Sequence, residues 1–130
     1  MLPGESRLRR PDEFRDTMRQ GVRCGRDSLV VHARRRAELP SRAGFIVSKA
    51  VGKAVQRNKV RRRLQEILRG RWDGIRDGRD LVLVVRKEAK DASFQELAEA
   101  VADVTARAGL TKGDNDERDD GSLEVDGGRL

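Results

Sequence analysis

Residues 49–71 hold the side chains of this chain that are best suited to chemistry, and that chemistry is the binding of a polyanion. Nine of them are Lys or Arg, and only Glu66 is acidic. Arginine presents a planar guanidinium that can hold a phosphate through two parallel hydrogen bonds. Like charges one helical turn apart lower helix stability unless a ligand compensates them. The stretch therefore predicts an interface for a nucleic-acid backbone.

The same stretch carries a helical pattern that a disordered basic tail would lack. Apolar residues recur at the spacing of a helix with one side packed on a core, at Val60, Leu64, Ile67 and Leu68. We expect this helix to run over about residues 54–69 and to stop at Gly70. The residues predicted to contact RNA are Lys53, Arg57, Asn58, Lys59, Arg61 and Arg62. For Lys59 and Arg63, which point to the far side of the helix, a solvated charged surface is an open alternative.

Candidates for a catalytic site within the protein are few. His32 is the single histidine, which excludes a two-histidine ribonuclease, and in an apolar strand it is expected to be structural. One cysteine, Cys24, and one histidine do not suffice for a zinc site. Gly-rich phosphate-binding loops of the GxGxxG or Walker type are absent from the sequence. We therefore predict neither catalytic residues nor a metal site in the chain itself.

The elements that must position the basic helix are readable from apolar runs and helix caps. A helix is predicted at 11–21, and strands at 29–33, 44–48 and 80–86, with a weakly indicated extra strand at 22–24. Ser93 and Glu96 form a capping box that opens a last helix, which ends at Gly109. With the extra strand the order is αβββαβα. It indicates an α+β fold, an α/β sandwich of about four strands and three helices with at least one parallel strand pair.

The two ends of the chain differ in composition. Residues 1–110, the predicted folded domain, carry 26 basic and 15 acidic side chains, a net charge of +11, whereas the whole chain has +7. Residues 111–130 are acidic, polar and Gly-rich, and we predict a disordered tail there. Competition of this tail with RNA for the basic surface is the alternative to simple solvation. A lone cysteine, no secretory signal and no membrane-length apolar run favour a cytoplasmic protein without membrane association.

Residues 57–62, Arg-Asn-Lys-Val-Arg-Arg, are followed by Glu66 and preceded by residues 44–52, Gly-Phe-Ile-Val-Ser-Lys-Ala-Val-Gly. Together they resemble the signature of the bacterial ribonuclease P protein subunit. The similarity extends over about residues 6–108. Three positions depart from the family pattern: Lys59 and Gln65 stand where arginine is usual, and Ala50 where lysine is usual. The change at Gln65 removes the charge that would hold a phosphate there.

The resemblance implies a subunit of ribonuclease P, an endoribonuclease that removes the 5′ leader of precursor tRNA. Its catalytic centre, with Mg²⁺, would belong to a large RNA, so the implied partners are this catalytic RNA and precursor tRNA, with no protein partner required. The basic helix would contact the catalytic RNA. The family fold also implies a left-handed β-α-β crossover around that helix, against the usual right-handed rule.

In the family, a cleft between the first helix and the sheet holds the single-stranded leader. Carried over by position, the residues of this cleft would be Phe14, Met18, Val31, Ser48 and Lys49. Family members often carry aromatic residues at the positions of Met18 and Val31, so base stacking is expected to be weaker in this chain. The alternative hypothesis is a structural RNA-binding protein, of ribosomal or RNA-chaperone type, without a role in tRNA maturation.

Overall fold

The computed structural model describes residues 6–36 and 40–112, which form three helices and four strands in the predicted order αβββαβα. The α+β prediction is confirmed. Short 3-10 turns follow β3, α2 and β4. The elements are α1 (Pro11–Gln20), β1 (Val22–Arg26), β2 (Leu29–Arg35), β3 (Arg42–Val47), α2 (Ala54–Arg71), β4 (Arg79–Val85) and α3 (Phe94–Arg107).

The four strands form one mixed sheet in the order β1-β2-β4-β3. β1 pairs with β2, and β2 with β4, in antiparallel fashion, whereas β3 and β4 are parallel. Because α2 connects the two parallel strands, the predicted β-α-β unit around the basic helix is present. The handedness of this crossover stays a prediction.

Alternation along the strands gives the sheet two distinct faces. On one, here named the core face, Val31 lies opposite Leu83 and both are fully buried against α2 and α3. On the other, here named the open face, His32 and Gly44 both flank Val82, and α1 covers this row. The main hydrophobic core therefore lies between the core face and the two longer helices. The residues of those helices that fill it include Leu64, Leu68, Leu97 and Val101.

The start of α2 depends on a single glycine. Gly52 has a φ of 148°, and a Cβ there would collide with the side chain of Gln56. That side chain accepts a hydrogen bond from the backbone N–H of Lys53 (3.0 Å), one of the donors that a helix N-terminus leaves free. Gly52 and Gln56 therefore fix where the basic helix begins.

The predicted stop of α2 at Gly70 is wrong, because the helix continues to Arg71. A glycine ends a helix by adopting a positive φ, and in the described chain Gly70 does not, whereas Gly109 does so at the end of α3. Gly70 is also exposed, and a Cβ there would meet nothing within 4 Å. It is a tolerated interior glycine, which costs about 1 kcal/mol relative to alanine.

The folded chain extends slightly beyond the predicted boundary at Leu110. Thr111 forms an antiparallel bridge with Ile75, and the backbone N–H of Lys112 donates to the carbonyl of Gly74 (2.8 Å). These two residues therefore belong to the folded part. The rest of the predicted acidic tail, residues 113–130, lies outside the described residues. Within the described chain, no helix combines the length and the apolar character that a membrane span requires.

Candidate nucleic-acid interface

The predicted apolar side of α2 is confirmed. Val60, Leu64, Ile67 and Leu68 are all buried, with Leu64 and Leu68 at 0% exposure. The helix thus docks on the core face through its predicted apolar arc and turns its remaining side chains outward. Of the predicted RNA-binding residues, four are exposed, namely Lys53, Asn58, Lys59 and Arg62, and two are half-buried, namely Arg57 and Arg61.

Two of these arginines also make contacts within the protein. The Arg57 guanidinium donates to the backbone carbonyl of Gly52 (2.9 Å), so this side chain supports the turn that starts α2. Arg61 donates to Oδ1 of Asn58 one turn earlier (3.1 Å), which orients its guanidinium along the helix surface. Arg57 therefore combines a structural contact with its predicted role.

Positive charge on α2 is largely uncompensated. Glu66 pairs with Arg69 (2.8 Å) near the C-terminal end of the helix. Across residues 6–36 and 40–112, no acidic side chain forms an ion pair with Lys53, Lys59 or Arg62. An exposed cation that lacks an acidic neighbour can release counterions when it meets a phosphate. The surface is therefore suited to an RNA backbone.

The open face carries a second candidate surface, along α1. The ring of Phe14 lies against Gly44, and a Cβ at position 44 would collide with it. Met18 lies one turn further along α1, and its backbone forms a hydrogen bond with His32. Phe14 and Met18 are half-buried. Together with His32 they form one end of the open-face cleft, the space between α1 and the partly exposed sheet residues Val84 and Ile46.

The prediction that Val31 lines this cleft is wrong. Val31 is fully buried on the core face, on the opposite side of the sheet from Phe14. Neighbouring residues of a strand point to opposite faces, so an error of one position moves a side chain across the sheet. The residue of β2 that belongs to the cleft is His32. Leu29, Val31 and Ala33 alternate along β2 and are more apolar than the residues between them. This pattern in the sequence indicates that Val31 belongs to the buried face.

His32 is held in its neutral form. Burial lowers the pKa of its imidazole, the nearby charge of Arg23 lowers it further, and the hydrogen bond with Met18 only partly opposes them. Its Nδ1 is buried and finds no hydrogen-bond partner in the part of the chain that the structure describes. A neutral, planar ring at this position can offer the stacking surface that Met18 does not.

Ser48 and Lys49 lie at the far end of the open face. Both are exposed and follow directly after β3. Four residues of extended chain separate Ser48 from Gly44, which corresponds to about 13 Å. The structure therefore does not bring them into contact with Phe14 or Met18. Between the two ends, the side chain of Arg86 lies over Gly25 on the open face, a cation that the predicted cleft did not include.

A buried ion cluster fixes α1 against the sheet. Asp80 has 0% side-chain exposure and accepts hydrogen bonds from Arg34, Arg36 and Arg42. Arg42 binds both of its oxygens (3.0 and 2.9 Å) and also donates to Glu13 of α1 (2.8 Å). Glu13 precedes Phe14, so this Asp80 cluster positions the aromatic ring of the cleft.

The cluster keeps Asp80 ionised. Burial alone would raise the pKa of its carboxyl, but the hydrogen bonds and charge of Arg42, together with Arg36 and Arg34, outweigh burial and lower it. The same contacts raise the pKa of the Arg42 guanidinium. Elsewhere in the described residues, no group of three His, Cys, Asp or Glu side chains is arranged to hold a metal ion.

A cationic helix docked on a basic α+β domain, with a cleft on the other face of the sheet, is the arrangement expected of an RNA-binding protein. The family model described as Ribonuclease P matches residues 2–109. The ribonuclease P protein component of Streptomyces avermitilis is 45% identical over 108 residues, covering 76% of this chain and 88% of its own. That of Kocuria rhizophila is 44% identical, covering 83% and 96%. The chain therefore belongs to the ribonuclease P protein family.

Solved structures agree with this assignment. The ribonuclease P protein of Staphylococcus aureus superimposes with a TM-score of 0.76 at 25% identity, covering 82% of this chain and 98% of that one. The protein from Thermotoga maritima gives 0.72 at 29% identity, again covering 82% and 98%. The chain is thus a subunit of a ribonucleoprotein endoribonuclease that acts in tRNA processing, and its partner is ribonuclease P RNA. The alternative of a ribosomal or RNA-chaperone protein is set aside.

Proposed function

We propose that this subunit binds the catalytic RNA through α2 and the 5′ leader of precursor tRNA through the open-face cleft. The residues assigned to the catalytic RNA are Lys53, Arg57, Asn58, Lys59, Arg61 and Arg62. Those assigned to the leader are Phe14, Met18, His32, Ser48 and Lys49. Cleavage itself would take place at Mg²⁺ ions held by the RNA. This role would place the chain in the cytoplasm.

The observation that carries this proposal is the separation of the two surfaces by the sheet. α2 packs on the core face, whereas Phe14 and His32 lie on the open face. Two RNA molecules could therefore bind at once, each with most of its contacts on its own face of the sheet. The protein would act by holding catalytic RNA and substrate in one geometry, which lowers the entropic cost of their encounter.

Reconstitution with a cognate catalytic RNA and precursor tRNA at low Mg²⁺ tests the proposal. We expect the protein to raise the cleavage rate, and to do so more for a precursor with a long leader than for one with a minimal leader. A photoprobe in the leader should crosslink to the peptide that contains Phe14 and Met18. Equal stimulation of both precursors, with no such crosslink, would remove the leader from the proposal.

A variant pair sharpens the same assay. Met18→Ala removes side-chain volume from the cleft, whereas Ala106→Gly changes an exposed position of α3. We expect Met18→Ala to weaken the preference for long leaders and to leave the affinity for catalytic RNA unchanged. The Ala106→Gly control should preserve both properties.

A further inference from the structure

A pocket opens at the edge of β3 that faces away from β4, and residues of both candidate RNA surfaces line it. Its volume is about 160 Å³. The residues of this edge pocket that matter here are Arg7, Phe14, Phe45, Arg61 and Gln65. Phe14 comes from α1 on the open face, and Arg61 and Gln65 come from α2 on the core face. Because β3 is an edge strand, both helices can reach around it into the same space.

The strand edge offers the pocket backbone hydrogen-bonding groups. The carbonyl of Ala43 faces away from β4, because it accepts a hydrogen bond from the backbone N–H of Leu8 (2.9 Å). Residues two apart on a strand orient their backbone groups alike, so the N–H and C=O of Phe45 face the same way. Within residues 6–36 and 40–112, no backbone or side-chain group pairs with Phe45 on this side.

The side chains around these groups suit a flat, polar and anionic ligand. Gln65 supplies an amide that both donates and accepts, one turn after Arg61 on α2. Arg61 also lines the pocket, and its guanidinium donates a hydrogen bond to Oδ1 of Asn58 (3.1 Å). Phe14 contributes an aromatic ring. A stacking ring, a donor and acceptor edge, and a cation for a phosphate are together the groups that recognise a single unstacked nucleotide.

We propose that the edge pocket binds one unstacked nucleotide, with Gln65 and the Phe45 backbone contacting the base edge and Arg61 contacting the phosphate. This inference rests on the proposed function. The nucleotide would come from an unpaired position of the catalytic RNA or from the leader. A peptide strand is a poorer occupant, because Arg7 already bridges Ala43 and β3 ends at Val47, which leaves a ladder of two or three residues.

Gln65→Met tests the pocket, because methionine keeps the length of the side chain and removes its hydrogen-bonding groups. Gln95→Met is the matched control, since Gln95 is an exposed glutamine of α3. Both variants are assembled with catalytic RNA, and two quantities are measured: the affinity for this RNA, and the affinity of the holoenzyme for precursors with long and minimal leaders. We expect Gln65→Met to weaken one of these two affinities about tenfold, and Gln95→Met to weaken neither.

The two arms identify the source of the nucleotide. Weaker binding of catalytic RNA assigns the nucleotide to that RNA. A selective loss on long leaders assigns it to the leader. If the nucleotide belongs to the catalytic RNA, its position is found with a set of catalytic RNAs that each carry a single abasic substitution at an unpaired position. One abasic position should weaken the wild-type protein by about tenfold or more, and should weaken Gln65→Met by a smaller factor, because that variant has already lost the Gln65 contact with the base.

Other outcomes overturn the proposal. Equal behaviour of Gln65→Met and Gln95→Met in both arms would show that the pocket holds no nucleotide. Selective capture of an acidic peptide by the pocket would do the same. Arg61→Gln is a second variant, because it removes the positive charge and keeps a polar side chain, and a normal result for it would remove the phosphate contact. If wild-type protein fails to stimulate cleavage, the proposed function fails first, so the two failures are distinguishable.

Discussion

Around Asp80, three arginines are tied into a buried network, whereas along α2 the cations face solvent with few acidic neighbours. Arg34, Arg36 and Arg42 are 18–20% exposed and all contact one carboxylate. Arg62, in contrast, is exposed and has no acidic partner in the described chain. The same side chain therefore serves the fold in one region and is available to a ligand in the other.

The difference between the two sets of arginines follows from the hydration of their charges. A guanidinium that loses its hydration needs a compensating carboxylate, and breaking such a pair leaves an uncompensated buried charge. A hydrated guanidinium needs no partner in the free protein and contributes little to stability. Substitutions in the Asp80 cluster should therefore act on folding, and those on α2 should act on RNA binding.

Asp80→Asn should give the largest effect and tests the buried side of the comparison. It removes the negative charge that three arginines share, and we expect a loss of about 3–5 kcal/mol in the free energy of unfolding. Urea denaturation measures this loss. Asp77→Asn is the control, because Asp77 is exposed and near the same strand. Similar midpoints for the two variants would mean that the cluster does not stabilise the fold.

Leu64→Ala tests whether the buried side of α2 acts on stability alone, while the exposed side acts on RNA binding. Leu64 is fully buried, so its truncation should cost about 2–5 kcal/mol of stability. At temperatures where the variant remains folded, its affinity for catalytic RNA should match that of the wild type. If the affinity falls by more than the decrease in the folded fraction accounts for, the buried side of α2 also determines the shape of the RNA-binding surface.

A fall in pH should reduce the contribution of the Asp80 cluster to the free energy of unfolding. The pKa of Asp80 is lower in the folded state than the value near 3.9 expected for an unfolded chain. Its contribution is therefore complete above that value and is lost as the pH falls through the folded pKa. The stability difference between wild type and Asp80→Asn should narrow below about pH 4. A difference that is independent of pH would contradict this account.

Arg62→Ala should have the smallest effect on the protein and a specific effect on binding. Stability should change by less than about 0.5 kcal/mol, because the side chain is exposed. The slope of log affinity against log salt should become shallower by about 0.7–0.9 for catalytic RNA. Lys90→Ala removes an equal charge from an exposed turn and should leave the slope unchanged.

The helices and strands were largely predictable because their signals are local. Periodicity identified the buried side of α2, and the Ser93 capping box correctly marked the start of α3. The cleft residue of β2 was predicted incorrectly. The position carried over from the family was one residue too early in the chain, so Val31 was assigned to the cleft instead of His32. The Asp80 cluster was not predicted, because its arginines lie 38–46 positions away along the chain. The edge pocket was missed for the same reason.

The order of strands in the sheet has a consequence for biosynthesis. β4 lies in the middle of the sheet, between β2 and β3, although it is the last strand of the described residues. Until it has left the ribosome, β3 lacks its partner strand in the sheet and α2 has no complete surface on which to pack. Pairing that is distant in sequence also slows folding. The nascent chain should therefore acquire its folded RNA-binding surface only after Val85 has emerged.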